Sequence, residues 1–187
     1  MSALGEVRRA DKAMGEQETL ALLARAPIGR LATADAAGAP YVTPLLYIWD
    51  GREIWLHNAI VPGHLRFNIE ANARVCFEVD EPGPVFPYGR FECDTSIAYE
   101  SAVVFGRIRV VEDREAKEAF CRALMAKYGP AEGEDRPQGF FPRLGQIAVY
   151  AVAIDRITGK RTPLPALEQQ WPAADHTGTP NAKPPES

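Results

Sequence analysis

Six runs of apolar residues have the length and composition of β-strands, and several of them alternate between apolar and polar positions. They cover residues 28–34, 41–49, 53–57, 74–79, 99–111 and 146–155. The first three follow one another through short turns, and Asp50-Gly51 is a strong hairpin signal. Strands joined in this way are typical of an antiparallel meander. Pro44 predicts an edge or a bulge at its position, and Gly106 predicts a bulge or a close backbone approach.

Three other segments repeat their apolar residues with the helical period. We expect helices at residues 16–26, 62–71 and 113–128, with Pro62 at the first helical position of the second and Asp113 as the cap of the third. Residues 80–90 are rich in proline and glycine, which predicts a long loop that could cover a site. Six strands and three helices predict a mostly β fold with flanking helices, a six-stranded antiparallel β-barrel.

The ends of the chain have a different composition from its middle. Residues 1–14 are polar and are expected to be flexible, and residues 15–162 are expected to form one domain. Six of the sixteen prolines fall after residue 162, where the apolar pattern vanishes. Residues 163–187 are therefore expected to be a disordered tail or an arm that wraps a partner.

Charge and cysteine content narrow the function class. The net charge is −4 and the basic residues are scattered, which argues against binding to nucleic acid or to an anionic membrane. No apolar run reaches 18 residues, and the start lacks the apolar core of a signal peptide, so we expect a cytoplasmic protein. Cys76, Cys93 and Cys121 have no metal-type spacing; they indicate reduced thiols, and no metal site is predicted.

The segment 55–69 carries the most distinctive candidate chemistry. It combines the end of a strand with a helix start, and nothing in residues 59–61 can supply a side-chain cap for that helix. An uncapped helix start beside His57, Asn58 and Arg66 is a candidate anion site. The alternative is a surface helix that water caps.

Five short stretches occur in an order that resembles the pyridoxamine 5′-phosphate oxidase-like flavoproteins with the FMN-binding split barrel. They are Gly29-Arg-Leu-Ala-Thr33, Pro40-Tyr-Val-Thr-Pro44, His57-Asn-Ala59 with Gly63-His64, Tyr99-Glu-Ser-Ala-Val-Val-Phe-Gly-Arg107 and Ile157-Thr-Gly-Lys160. Within these flavoproteins the chain is most similar to the nitroimidazole-reductase-related branch. The resemblance covers roughly residues 6 to 162.

The resemblance implies a homodimer with two FMN sites at the subunit interface, and it implies contacts by position. Those implied contacts are Arg30, Leu31, Ala32 and Thr33 along the flavin, Thr43 and Pro44 beside the isoalloxazine, His57, Asn58 and Ala59 at the ring and ribityl chain, Gly63, His64 and Leu65 at the phosphate, and Ser101 on an interface strand that faces a cofactor. Arg30 is expected to contribute more to FMN affinity than His64, because arginine keeps its charge.

The chain departs from the family pattern at two places. His64 stands where many members carry Arg or Lys, and the C-terminal Arg-Leu-x-Pro pattern of the true oxidases is missing. Pyridoxamine phosphate oxidase activity is therefore not expected. No acid–base pair is evident; His57 is a candidate catalytic group, with a structural role as the alternative, and it could instead ligate haem.

The function expected from these features is an FMN-dependent oxidoreductase, similar to flavin reductases or nitroreductases. It would pass electrons from a nicotinamide or flavin donor to a small planar acceptor, with the flavin carrying the redox chemistry. The alternative is a non-catalytic carrier or sensor that binds flavin or haem.

Overall fold

The computed structural model describes residues 6–129 and 139–178. Its strands and α-helices follow in the order α1 (Glu16–Arg25), β1 (Gly29–Ala34), β2 (Pro40–Leu45), β3 (Tyr47–Trp49), β4 (Glu53–Ala59), α2 (His64–Ala71), β5 (Arg74–Pro87), β6 (Thr95–Val111), α3 (Arg114–Tyr128) and β7 (Ile147–Thr162). Short 3₁₀ helices occur at Ala10–Lys12, Leu144–Gln146 and Leu167–Gln169.

The strands form one antiparallel sheet in the order β2-β1-β5-β6-β7-β4-β3. The mostly β class with flanking helices is therefore confirmed, but the sheet is not closed and the described residues contain seven strands instead of six. The predicted strand 41–49 is two strands, because its first half pairs with β1 and its second half with β4. Leu46 lies between them, and Pro44 lies in an edge strand as predicted.

β5 extends through the segment that was predicted to be a loop. It runs to Pro87, and the connection to β6 is only residues 88–94. Val79 and Phe86 bury their side chains almost completely, and burial of this kind favours a strand despite the proline content. Gly83 has a specific role, since a Cβ atom there would lie 3.1 Å from the Cβ and carbonyl oxygen of Ala98. The predicted loop 80–90 was wrong, because its composition masked the pairing with a long neighbouring strand.

The three predicted helices are present, and two of them begin where expected. α2 begins at His64, not at Pro62, because Gly63 takes an extended conformation (φ −134°, ψ −169°) and is the N-cap. Asp113 caps α3 by accepting a hydrogen bond from the N–H of Ala116 at 2.8 Å. Gly106 is a close backbone approach as predicted, since a Cβ there would lie 2.2 Å from the Ala153 carbonyl oxygen.

Contacts divide the chain into two compact units. The first unit consists of Met1–Ala26, Val79–Val103 and Ile157–Ser187, and the second consists of Pro27–Glu78 and Val104–Arg156. The second unit has an apolar core that includes Leu31, Leu56 and Phe77. A separate apolar cluster lies under α3 and includes Phe120 and Val149.

The first unit holds both ends of the described chain. Trp171 and His176 donate backbone hydrogen bonds to the carbonyl oxygens of Pro87 and Tyr88. The N–H of Arg90 donates to the Thr177 hydroxyl at 3.2 Å. The described part of the C-terminal segment thus binds the β5–β6 connection, while residues 1–5, 130–138 and 179–187 lie outside the described residues. The domain boundaries at 15 and 162, and the character of the two ends, stay predictions.

Within residues 6–129 and 139–178, no helix is long and apolar enough to cross a membrane. The same residues contain no group of three or more His, Cys, Asp or Glu side chains placed to hold a metal ion.

Candidate functional site

The start of α2 is open. No side chain caps Gly63, and the first hydrogen bond within the helix runs from the N–H of Phe67 to the Gly63 carbonyl at 3.1 Å. The backbone N–H groups of His64, Leu65 and Arg66 precede that bond, as at every helix start. A Cβ atom on Gly63 would meet nothing within 4 Å. The predicted uncapped start is therefore confirmed, and it has free space in front of it.

Arg66 places a fixed positive charge in the first turn of α2. Its guanidinium pairs with Glu70 at 2.6 Å, and its side chain is 25% exposed. The guanidinium also hydrogen-bonds to the Tyr150 hydroxyl. The contact with the Glu70 carboxylate and the contact with the Tyr150 phenol both raise the pKa of Arg66, and Glu70 contributes most. Tyr150 in turn donates to Oδ1 of Asn58 at 3.0 Å.

This chain of contacts connects three elements. Asn58 lies at the end of β4, Tyr150 on the neighbouring β7 and Arg66 on α2. Burial raises the pKa of Tyr150, so its hydroxyl keeps its proton and can donate to Asn58. The contacts hold Asn58 and Arg66 on one face of the sheet beside the α2 start.

His64 and Tyr41 lie at the outer side of the α2 start. Their ring centroids are 5.6 Å apart and the planes are inclined by 31°. Both side chains are exposed, as are Gly63 and Ala59. Leu65 is buried, so at this position only the backbone N–H can reach an external ligand. The predicted residues Asn58, Ala59, Gly63, His64 and Leu65 thus lie in the same small region of the second unit.

The predicted residues of β1 and β2 divide between two faces. Residues paired across a sheet project to the same side, and neighbours in one strand project to opposite sides. Arg30, paired with Pro44 and Glu78, lies on the outer face, where its guanidinium contacts Glu78 at 2.9 Å. Ala32 is partly exposed on that face, opposite Cys76, whose thiol pKa is raised by burial.

The inner face of the same strands is closed to a ligand at two positions. Leu31 is fully buried, so a cofactor contact by its side chain is not available. Thr33 is buried and its hydroxyl accepts a hydrogen bond from the Asn68 amide of α2 at 3.0 Å. Thr43 pairs with Leu31, and its hydroxyl oxygen is buried with no hydrogen-bond partner among the described residues. Thr43 and Pro44, predicted together beside one ring, therefore face opposite sides.

His57 and Asn58 are separated in the same way. His57 packs under α3, with its ring centroid 5.6 Å from that of Phe120. Its Nδ1 atom is buried without a partner among the described residues, and burial lowers the pKa of the imidazole. Asn58, the next residue of the strand, faces Tyr150 instead. The structure thus places His57 away from the α2 start.

Ser101 lies in the first unit, on β6. Its hydroxyl is 3.4 Å from the carbonyl oxygen of Lys160, to which it donates. The other predicted site residues belong to the second unit.

Sequence reasoning missed three residues of the site. Tyr150 and Tyr41 looked like ordinary strand residues, and their contacts with Arg66 and His64 of α2 join segments far apart in the chain. Asn68 bonds to Thr33 from within α2. Arg66 was already part of the anion site predicted from the sequence, because it falls in the first turn of the helix.

Comparison with known proteins finds one matching family model and several solved structures of similar fold. A family model described as pyridoxamine 5′-phosphate oxidase matches residues 15–161, and no curated protein matches the chain. The flavocytochrome Anf3 from Azotobacter vinelandii is 22% identical with a TM-score of 0.73, over 90% of this chain and 79% of that one. An FAD and heme binding protein from Mycobacterium smegmatis is 25% identical with a TM-score of 0.68, over 84% and 78%. A candidate 5-nitroimidazole antibiotic resistance protein from Bacteroides thetaiotaomicron is 22% identical with a TM-score of 0.65, over 80% and 86%.

Proposed function

Because the chain belongs to the pyridoxamine 5′-phosphate oxidase family, we propose that it is an FMN-dependent oxidoreductase that acts as a homodimer. The observation that carries this proposal is the open start of α2, where backbone donors, Arg66 and His64 lie together. Two of the similar solved structures are, by their names, a flavocytochrome and an FAD and heme binding protein. Flavin chemistry in this chain is consistent with those neighbours.

The residues at the α2 start fit a flavin phosphate. A dianionic phosphate needs several N–H donors and positive charge, which a helix start with a nearby arginine supplies. The N–H groups of His64, Leu65 and Arg66 would bind the phosphate oxygens, and the Arg66 side chain would balance their charge. No acidic residue occurs in the first turn of α2. The open space at Gly63 leaves room for the group.

When bound, FMN would supply the redox chemistry, while the chain binds and orients it. Tyr150 and Asn58 keep Arg66 in place through their hydrogen bonds. The contacts of Arg30 with the phosphate or ribityl chain, of Ala32 along the flavin and of Pro44 beside the isoalloxazine stay predictions that follow from the resemblance. The acceptor proposed is a small planar compound such as a nitroaromatic or a quinone, and the donor a nicotinamide or a reduced flavin.

The homodimer is supported by exposed apolar side chains at α2 and the segment before it. Ile60, Val61 and Phe67 are 46%, 74% and 59% exposed. Exposed apolar patches of this kind often mark protein interfaces. Phe67→Glu should shift the protein towards monomer in light scattering after size exclusion. Met125→Glu, at a residue of α3 that is 51% exposed, is the matched control and should leave the mass unchanged.

The flavin proposal has a direct test in the binding of FMN and of riboflavin, which lacks the phosphate. If the α2 start binds the phosphate, the full-length protein should bind FMN at least about 100-fold more tightly than riboflavin, since several charge-assisted hydrogen bonds are lost. Flavin fluorescence quenching measures both constants. Equal affinities would remove the α2 start as the phosphate site, and no binding of either flavin would end the proposal. Anaerobic mixing with NADH, followed by menadione or nitrofurazone, tests electron transfer; bound FMN that no donor reduces would indicate a carrier or sensor.

A second candidate function is haem binding through His57. The observation that favours it is the partnerless Nδ1 atom of an imidazole whose pKa burial lowers, because neutral histidine is the form that ligates metals. The imidazole ring packs on the Phe120 ring, with the two centroids 5.6 Å apart. Haem should give a Soret band that His57→Ala removes, whereas FMN binding should be unaffected by that change.

A further inference from the structure

The hydrogen bonds that join α2 to β4 run in one direction only. Arg66 can donate but cannot accept, because a guanidinium carries N–H groups and no acceptor. Its Nε atom donates to Glu70 at 2.6 Å, and the guanidinium also bonds to the Tyr150 hydroxyl. The hydroxyl oxygen is therefore the acceptor in that contact, and the proton of the hydroxyl has to go to another group.

The proton of Tyr150 goes to Asn58. The hydroxyl donates to Oδ1 of Asn58 at 3.0 Å. Tyr150 is fully buried, and burial raises its pKa, so the hydroxyl keeps its proton away from bulk water. If the carboxamide were turned round, the buried O–H would face the Nδ2 group, which is another donor, and would lose its acceptor among the described residues. The neighbours of Asn58 thus fix the orientation of its amide.

The Nδ2 group of Asn58 is left for a ligand. Because Oδ1 faces Tyr150, the two N–H donors lie on the other side of the carboxamide. Among the described residues, no second hydrogen bond to this side chain occurs. The buried side-chain atoms without a partner include the Thr43 hydroxyl and Nδ1 of His57, but not Nδ2 of Asn58, which is therefore accessible. Asn58 presents two donors and no acceptor to a molecule bound at this place.

The network also brings Asn58 to the phosphate end of the proposed site. A single hydroxyl separates its carboxamide from the guanidinium of Arg66, which lies in the first turn of α2. Asn58 precedes the N-cap Gly63 by five residues. The family resemblance implies a contact of Asn58 with the ring and ribityl chain, whereas these bonds put its donors beside those of the α2 start. Amide and guanidinium donors together suit an anionic oxygen.

We infer that Asn58 donates from Nδ2 to a phosphate oxygen of the flavin, and that Tyr150 is the positioning residue that turns the amide towards it. The inference rests on the proposed function, because FMN is the ligand. Tyr150 is fully buried, so it acts on the ligand through Asn58. A flavin without a phosphate leaves Nδ2 without this acceptor. Asn58 therefore contributes to the preference of the site for FMN over riboflavin.

The first test compares FMN with riboflavin by flavin fluorescence quenching of the full-length protein. Asn58→Ala should weaken FMN binding about tenfold, the loss expected for one charge-assisted hydrogen bond, and leave riboflavin binding within error. Asn58→Asp should weaken FMN binding further, although it keeps an acceptor for Tyr150, because it sets a carboxylate against the phosphate. An equal loss for both flavins would place Asn58 at the ring or ribityl chain and overturn the inference, as would unchanged FMN affinity.

The second test separates positioning from a general structural role. Tyr150→Phe keeps the ring and should weaken FMN binding about threefold, because the amide is then free to turn, with no further loss when combined with Asn58→Ala. Losses that add in the double variant would show that Tyr150 does not act through Asn58. The matched control is Tyr128→Phe under α3, which removes a hydroxyl that donates to the Tyr47 carbonyl and should leave FMN affinity unchanged.

A third measurement does not depend on flavin. In isotope-labelled protein, the side-chain amide signals of Asn58, identified by their loss in Asn58→Asp, should shift saturably in magnetic resonance spectra with inorganic phosphate and with FMN. No shift with either probe would overturn the inference. If wild type binds FMN and the variants lose nothing, only the role of Asn58 fails. If wild type binds no flavin, the proposed function fails, and the titration with inorganic phosphate still decides whether Asn58 binds a phosphate oxygen.

Discussion

The starts of α2 and α3 differ in whether the chain itself supplies an acceptor for their first backbone N–H groups. Asp113 accepts a hydrogen bond from the Ala116 N–H, and Glu115 adds a second negative charge in the first turn of α3. α2 begins at Gly63 with no side-chain cap and no acid in its first turn. Both helices carry an arginine there that pairs with a glutamate four residues on, Arg66 with Glu70 and Arg114 with Glu118. The α3 start is therefore satisfied within the chain, whereas the α2 start keeps its donors for an external anion.

Converting the α2 start into one like that of α3 should have the largest effect. Gly63→Asp places a carboxylate at the N-cap, where the extended backbone and open space accept a side chain. The carboxylate occupies the donors and repels the phosphate, so we expect FMN affinity to fall by about 100-fold or more. Flavin fluorescence titration measures the change.

The neutral variant separates the two causes of that loss. Gly63→Asn caps the helix without a charge, and its FMN affinity should fall less than that of Gly63→Asp. Both variants should unfold at higher denaturant concentration than wild type without FMN, because a cap stabilises a helix by about 1 kcal/mol. Unchanged FMN affinity in Gly63→Asp would remove the α2 start from the binding site.

The two arginines provide a matched pair for the next test. Arg66→Gln should weaken FMN binding about tenfold, because the positive charge that balances the phosphate is lost. Arg114→Gln removes the corresponding charge from α3 and should leave FMN affinity within error of wild type. A similar loss in both variants would indicate that net charge alone governs binding.

The sequence showed which of the two helix starts has a cap, but it did not show the first residue of α2 or the tertiary contacts around it. Asp113 is a strong capping residue, and residues 59–61 contain none, so the capped and uncapped starts were predicted correctly. The exact first residue of α2 depended on the extended conformation of Gly63, which no residue type specifies. The contact of Arg66 with Tyr150 joins residues 84 positions apart, and local patterns carry no such information.

Assigning neighbouring residues to one site was the main weakness of the sequence reasoning. His57 and Asn58 are adjacent, yet one packs on Phe120 and the other bonds to Tyr150. Strand geometry requires this separation, because consecutive side chains project to opposite faces. A motif on a strand therefore describes two surfaces, and only the sheet pairing shows which one meets a ligand.

The next prediction removes the cap of α3, whereas Gly63→Asp adds one to α2. Asp113→Ala removes the cap bond to Ala116, and we expect a loss of about 1 kcal/mol in the free energy of unfolding. Urea denaturation followed by circular dichroism measures this loss. FMN affinity should not change, because α3 takes no part in the proposed phosphate site. Weaker FMN binding in Asp113→Ala at a temperature well below its unfolding transition would contradict the separation of the two helix starts.

The smallest effect is expected at His57, under α3. Burial lowers the pKa of its imidazole in the folded chain below the ordinary value of 6.5, so the unfolded chain takes up a proton more readily. The stability that this difference provides is present above pH 6.5 and decreases as the pH falls through that value towards the lower folded pKa. The free energy of unfolding of wild type should therefore decline between about pH 7 and pH 5.5, before most carboxylates titrate. His57→Gln should show a flatter profile in the same denaturation series, with FMN affinity at pH 7 unchanged. An equally steep profile in the variant would mean that another group causes the decline, and a loss of FMN binding would place His57 in the flavin site after all.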